Sequence, residues 1–109
     1  MASLPSINAI DVPDGAYILD VRELDEWEAG HAPDAHHVPM MTIPARIDEV
    51  PTDEQVVVLC RHGQRSARVV GFLAEHGRDN VVNLDGGIVE WVAAGRPIVT
   101  DDGRDPYIA

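Results

Sequence analysis

The chain has 109 residues, enough for one domain with a real core and too few for two. Hydrophobic residues make up 45% and charged residues 25%, and no apolar stretch approaches the ~20 residues of a membrane span. The net charge of −11, from 8 basic against 19 acidic residues, repels nucleic acid and anionic membrane and sets both aside as partners.

The first residues, Met1 to Ser6, lack the basic flank and apolar run of a signal peptide. A single cysteine forms no internal disulfide, so a reducing cytoplasm is the expected compartment. One domain is expected over 1–109, with its core at about 5–99 and an acidic, loose tail at 100–109.

In chain order, Tyr17 to Val21 reads as a short strand that carries an acid, Asp20. Residues 23–29 read as a short helix with Leu24 and Trp27 on one side, closed by Gly30. His36 to Pro39 reads as a brief extended segment. Residues 43–49 read as a helix with Pro44 in its first turn and Ile43 and Ile47 one turn apart. Val56 to Leu59 are apolar throughout, as in a strand covered on both faces.

Residues 66–76 follow as a helix with Val69, Val70, Phe72 and Leu73 inward and Gly77 as terminator. Val81 to Leu84 is a further strand. Gly86 and Gly87 turn the chain into a helix that places Ile88, Trp91 and Val92 on one face and stops at Gly95. Strands alternating with short helices through tight glycine turns predict an α/β domain with a mostly parallel sheet. Ligands of such sheets bind at the carboxyl ends of the strands.

Cys60 sits at one of those ends, directly after the apolar strand and before a short polar loop. A thiol at a strand-to-helix junction faces backbone N–H groups and the positive end of a helix dipole, and both favour thiolate. Cys60 is therefore the candidate nucleophile. Gly63 suits a tight loop that needs unusual φ or close approach, and Ser66 is placed to cap the following helix.

All eight basic residues are arginine, and Arg61, Arg65, Arg68 and Arg78 cluster after the thiol with Glu75 the only acid among them. Arg68 and Arg78 read as a solvated helix face. Arg61 and Arg65, beside the thiol, read as anion binders, given the multidentate geometry of guanidinium. His62 reads as a residue of loop geometry or donor recognition rather than a proton shuttle.

Asp20 and Arg22 read as a buried ion pair holding a β–α turn in preference to entering the site. His31 reads as a hydrogen-bonded structural histidine. His36 and His37 are adjacent, so on a strand they point to opposite faces, and no metal is expected there. Trp27 and Trp91 read as core anchors, and Asp85 as a turn residue.

Three stretches resemble the rhodanese family. Ile18-Leu19-Asp20-Val21-Arg22-Glu23, with Trp27 to Ala35, is similar to its first signature. Cys60-Arg61-His62-Gly63-Gln64-Arg65-Ser66 is similar to its active-site loop. Asn83-Leu84-Asp85-Gly86-Gly87-Ile88, with Trp91, Gly95 and Pro97, is similar to its C-terminal signature. Ala32 and Asp34 depart from the usual apolar and glycine positions of the Gly-His-Ile-Pro-Gly-Ala segment, in a surface turn.

The resemblance implies a rhodanese-like sheet of about five short strands flanked by helices on both faces. It also implies a sulfurtransferase in which Cys60 cycles between thiolate and persulfide. Residues 61–66 then form the persulfide-binding loop, with Gln64 among them, and no metal or organic cofactor is needed. The expected partner is a small anionic sulfur donor such as thiosulfate.

Three alternatives stay open. A persulfide relay would use another protein as donor or acceptor, and an idle regulatory module would use the fold only for docking. A phosphatase or arsenate reductase of the same fold places five residues between cysteine and arginine. Here Arg65 follows Cys60 after four, a ring one residue short for phosphate.

Overall fold

The computed structural model describes residues 4–109. Its five strands are β1 (Ser6–Ile7), β2 (Tyr17–Asp20), β3 (His36–His37), β4 (Val56–Leu59) and β5 (Val81–Leu84). The α-helices are α1 (Leu24–Ala29), α2 (Gln64–Glu75) and α3 (Gly87–Ala93). The strands form one sheet in the order β1-β5-β4-β2-β3, and every pairing is parallel. The α/β class and the mostly parallel sheet expected from the alternation of elements are both present.

β4 lies at the centre, in register with β2 from Tyr17 opposite Val56 to Asp20 opposite Leu59, and with β5 from Val56 opposite Val81. Its four residues are all buried, which is why the segment carries no polar alternation. Side chains alternate across the sheet. Val56, Val58 and Cys60 pack with Val69, Val70 and Leu73 of α2, whereas Val57 and Leu59 pack with Ile88 and Trp91 of α3. Cys60 thus ends the central strand on the α2 face.

Several local expectations need correction. α2 begins at Gln64 rather than at Ser66, and its N-cap is Gly63 at φ 101°. The segment 43–49 is a 3-10 stretch, Pro44–Glu49, kinked at Arg46. Leu24 is exposed, and Trp27 is only partly buried and stacks with two histidine rings instead of joining the core. The His31 ring stacks at 3.7 Å between centroids and the His37 ring at 4.8 Å. Val92 is exposed, and α3 buries Gly87, Ile88 and Trp91.

The tail is not loose. Val99 pairs with His31 in an antiparallel bridge, and Asp101 accepts hydrogen bonds from His31 Nε2 (2.8 Å) and Trp27 Nε1 (3.3 Å). The Tyr107 amide donates to the Ala29 carbonyl at 2.9 Å, and Ile108 packs against the α3-side core. Gly30 is extended, at φ 168°, so its role is space rather than left-handed backbone. A Cβ there would lie 2.8 Å from the Tyr107 carbonyl oxygen.

Candidate active site

The loop after β4 bends around one sulfur atom. Gly63 N–H donates to Cys60 Sγ at 3.0 Å, and the Ser66 hydroxyl donates to the same atom at 3.3 Å. Ser66 is fully buried in the first turn of α2, where its own N–H has no intrahelical acceptor. Its hydroxyl serves the sulfur, not the helix terminus.

Burial of Cys60 (1% exposed) raises its pKa, as for any charge taken from water. The opposing donors win. Hydrogen bonds from the Ser66 hydroxyl and from the amides of Ser66, Gly63 and His62 bring the thiol below its ordinary value. The first turn of α2 adds its dipole with the same sign. This ring of donors favours the thiolate over the thiol.

The loop's amides face inward because its carbonyls are engaged elsewhere. Cys60 C=O accepts from the Ile88 N–H at 2.8 Å, and Arg61 C=O accepts from the Val89 N–H at 3.3 Å, both at the start of α3. Gly87, at φ 61°, makes this approach possible, since a Cβ there would lie 2.5 Å from the Cys60 carbonyl oxygen and 2.4 Å from that of Arg61. The Gly63 carbonyl in turn accepts from Asn83 Nδ2 at 3.1 Å.

The arginines differ in placement. Arg65 points its guanidinium at Glu26 of α1, with Nη1 to Oε1 at 2.6 Å and Nη2 to Oε2 at 2.8 Å. That hydrogen bonding is the main cause holding the Glu26 carboxyl down at about 2, and it raises Arg65. Arg61 is partly exposed, donates from Nε to the Ala109 carbonyl oxygen at 2.9 Å and contacts His62 Nε2 with Nη1. His62 and Gln64 are exposed at the rim. Arg68 is exposed, but Arg78 is not a solvated residue: Nη1 donates to the Val50 carbonyl at 2.6 Å.

Asp20 and Arg22 form a fully buried ion pair beside the loop, with Nη2 to Oδ2 at 2.8 Å. Arg22 Nη2 also donates to the Gly30 carbonyl at 2.8 Å and Nη1 to the Glu26 carbonyl at 3.2 Å, satisfying the carboxyl end of α1. His37 Nε2 donates to the Arg22 carbonyl, and His36 stacks on Tyr17. Among the described residues, no three His, Cys, Asp or Glu side chains converge as a metal site would require. Also among them, no helix is long and apolar enough to cross a membrane.

Sequence reasoning brought Cys60, Gly63 and Ser66 together and missed three contributors: Glu26, Asn83 and the start of α3. Asn83 carried a signal, being a polar residue inside an apolar strand. Glu26 carried none, since its partner lies far along the chain.

Comparison with known proteins agrees with this geometry. The chain is 42% identical over 86 residues to a sulfurtransferase of Allochromatium vinosum, covering 79% of this chain and 80% of that one. It is 36% identical over 87 residues to the thiosulfate sulfurtransferase GlpE of Actinobacillus pleuropneumoniae serotype 7, covering 80% and 81% respectively. The crystal structure of a rhodanese-related protein from Thermoplasma volcanium superposes with a TM-score of 0.83 at 34% identity, covering 89% of this chain and 99% of that one. The model of the rhodanese-like domain matches residues 7–94, from β1 to the end of α3. With the loop, the sheet order and the relatives in agreement, this chain belongs to the rhodanese-like domain family.

Proposed function

We propose that the chain is a sulfurtransferase that takes sulfane sulfur from thiosulfate or a similar anionic donor and passes it on through a Cys60 persulfide. The observation that carries the reading is the convergence of the Gly63 amide and the Ser66 hydroxyl on Cys60 Sγ. In the first half-reaction the thiolate attacks the outer sulfur of thiosulfate. The new S–S bond forms as the S–SO3 bond breaks, and sulfite leaves with the electron pair. The product, Cys60–S–S⁻, keeps its negative charge beside the same donors. In the second half-reaction a thiophilic acceptor attacks the outer sulfur and returns Cys60 as thiolate. Neither step requires a metal or an organic cofactor.

Burial supports a donor whose electrophilic atom is terminal and small, as the outer sulfur of thiosulfate is. Arg61 at the rim is the residue we assign to the donor's oxygens. Arg65 is less available, because Glu26 takes its planar donor edge. The same pairing argues against phosphatase chemistry, in which the loop arginine must embrace the phosphate.

Intact-protein mass measurement after incubation with thiosulfate tests the reading. A gain of one sulfur, removed by cyanide as thiocyanate and absent in Cys60→Ser, is the expected result. No gain from thiosulfate or mercaptopyruvate, with release of phosphate from an aryl phosphate, would overturn it. Transfer of the label to a protein thiol in preference to cyanide would identify a persulfide relay.

A further inference from the structure

Asn83 occupies an unusual place for an amide. It is the third residue of β5, opposite Val58 of the central strand on one side and Ser6 of β1 on the other. Asparagine is disfavoured in strands, and this one is 7% exposed. Alternation along β5 puts it on the same face as Val81, the α2 face, directly beneath the Cys60 loop.

Only one end of the amide is used by the protein. Nδ2 donates to the Gly63 carbonyl at 3.1 Å, while Oδ1 is buried with no partner among the described residues. Exchanging the two ends would put Oδ1 against the Gly63 carbonyl oxygen, acceptor against acceptor, so the donor end is the one that faces the loop. A half-satisfied buried amide is costly, and a valine or leucine would suit the strand better. Retaining such a group for packing alone makes no physical sense.

Gly63 is the residue that needs holding. At φ 101°, ψ −3° it has the widest conformational freedom in the loop, yet its N–H must stay aimed at the sulfur. Its carbonyl is fixed by Asn83 Nδ2 and by the Ala67 N–H at 3.2 Å. With the carbonyl fixed on one side and Sγ on the other, rotation about Gly63 is blocked.

We infer that Asn83 is a positioning residue for sulfur transfer: it pins Gly63 so that the Gly63 amide stays on the Cys60 sulfur in both the thiolate and persulfide states. It touches no reacting atom itself. The inference deepens the sulfurtransferase reading and rests on it for the persulfide half, while its effect on the thiolate is independent of the donor.

Asn83→Leu and Asn83→Val both remove the donor and keep strand-compatible shape. Three measurements are made on each: thermal midpoint, the pH profile of iodoacetamide alkylation at Cys60, and the rate of sulfur uptake from thiosulfate. The thermal midpoint is expected to hold or rise. The alkylation profile is expected to move to higher pH, and sulfur uptake to slow roughly tenfold, as when the Gly63 N–H is released from its place on the charged sulfur. A folded variant with an unchanged alkylation profile overturns the proposal, because packing alone would leave that profile in place. Marked loss of stability in both variants overturns it as well, by making Asn83 a fold residue. If the native protein takes up no sulfur from any donor, the sulfurtransferase reading fails while the alkylation profiles still decide whether Asn83 acts on Cys60.

Discussion

Arg65 of α2 and Glu26 of α1 meet through two parallel hydrogen bonds, 2.6 and 2.8 Å long, across the flank of the Cys60 loop. Arg65→Met is expected to cost about 1 kcal/mol of stability, the scale of a well-formed, partly exposed pair. The Michaelis constant for thiosulfate should stay within about twofold of native. A large rise in that constant would place Arg65 on the donor instead.

The same pair gives acid sensitivity with a definite sign. Glu26 is held at about 2, below its ordinary 4.5, chiefly by the Arg65 hydrogen bond. A depressed carboxyl contributes its full stabilisation above the unfolded value and loses it as pH falls toward the folded one. The stability gap between native protein and Arg65→Met should therefore be complete at neutral pH and close between about 4.5 and about 2. Urea denaturation across that range reads it directly.

Asp20→Asn leaves Arg22 as a buried cation with its counter-charge removed. The expected loss is roughly 3–5 kcal/mol, measured by denaturant midpoint. Arg22 also holds two carbonyls at the end of α1, so the variant should expose that helix to hydrogen exchange first.

Gly87→Ala forces a methyl group into the Cys60 and Arg61 carbonyls on a backbone of positive φ. A destabilisation of about 3 kcal/mol is expected. Sulfur uptake should fall further than stability alone explains, because the loop must rotate its carbonyls away from α3. Activity measured well below the thermal midpoint separates the two effects.

Arg61→Ala should raise the Michaelis constant for thiosulfate more than it lowers turnover. Shortening the chain after Thr100 removes the Ala109 contact on Arg61 Nε and the Tyr107 and Ile108 contacts on the domain. The shortened chain should melt several degrees lower, about 1 kcal/mol in stability. Its Michaelis constant for thiosulfate should fall, because Arg61 no longer shares its guanidinium with the tail.

The central strand and the thiol that ends it were readable because Val56 to Leu59 form an unbroken apolar run between a turn and a glycine loop. β1 and β3 are two residues each, too short to carry a period, and β1 was not foreseen. Ser66 was assigned to capping because the start of α2, Gln64-Arg65, reads as polar loop. Only the left-handed Gly63 moves the helix start and hands the hydroxyl to sulfur. The Arg65–Glu26 pair joins residues from separate elements, and no local spacing reports such a contact. The tail's acidity suggested solvation, yet the exposed Asp101 also accepts a hydrogen bond from His31 Nε2.

The seating of the Cys60 and Arg61 carbonyls on the first turn of α3 has a practical corollary for protein engineering. Transplanting this pocket into another scaffold by copying the heptapeptide alone would deliver a segment with its dipoles free to turn the wrong way. A faithful graft must bring the Gly86–Val89 corner along as its matching half.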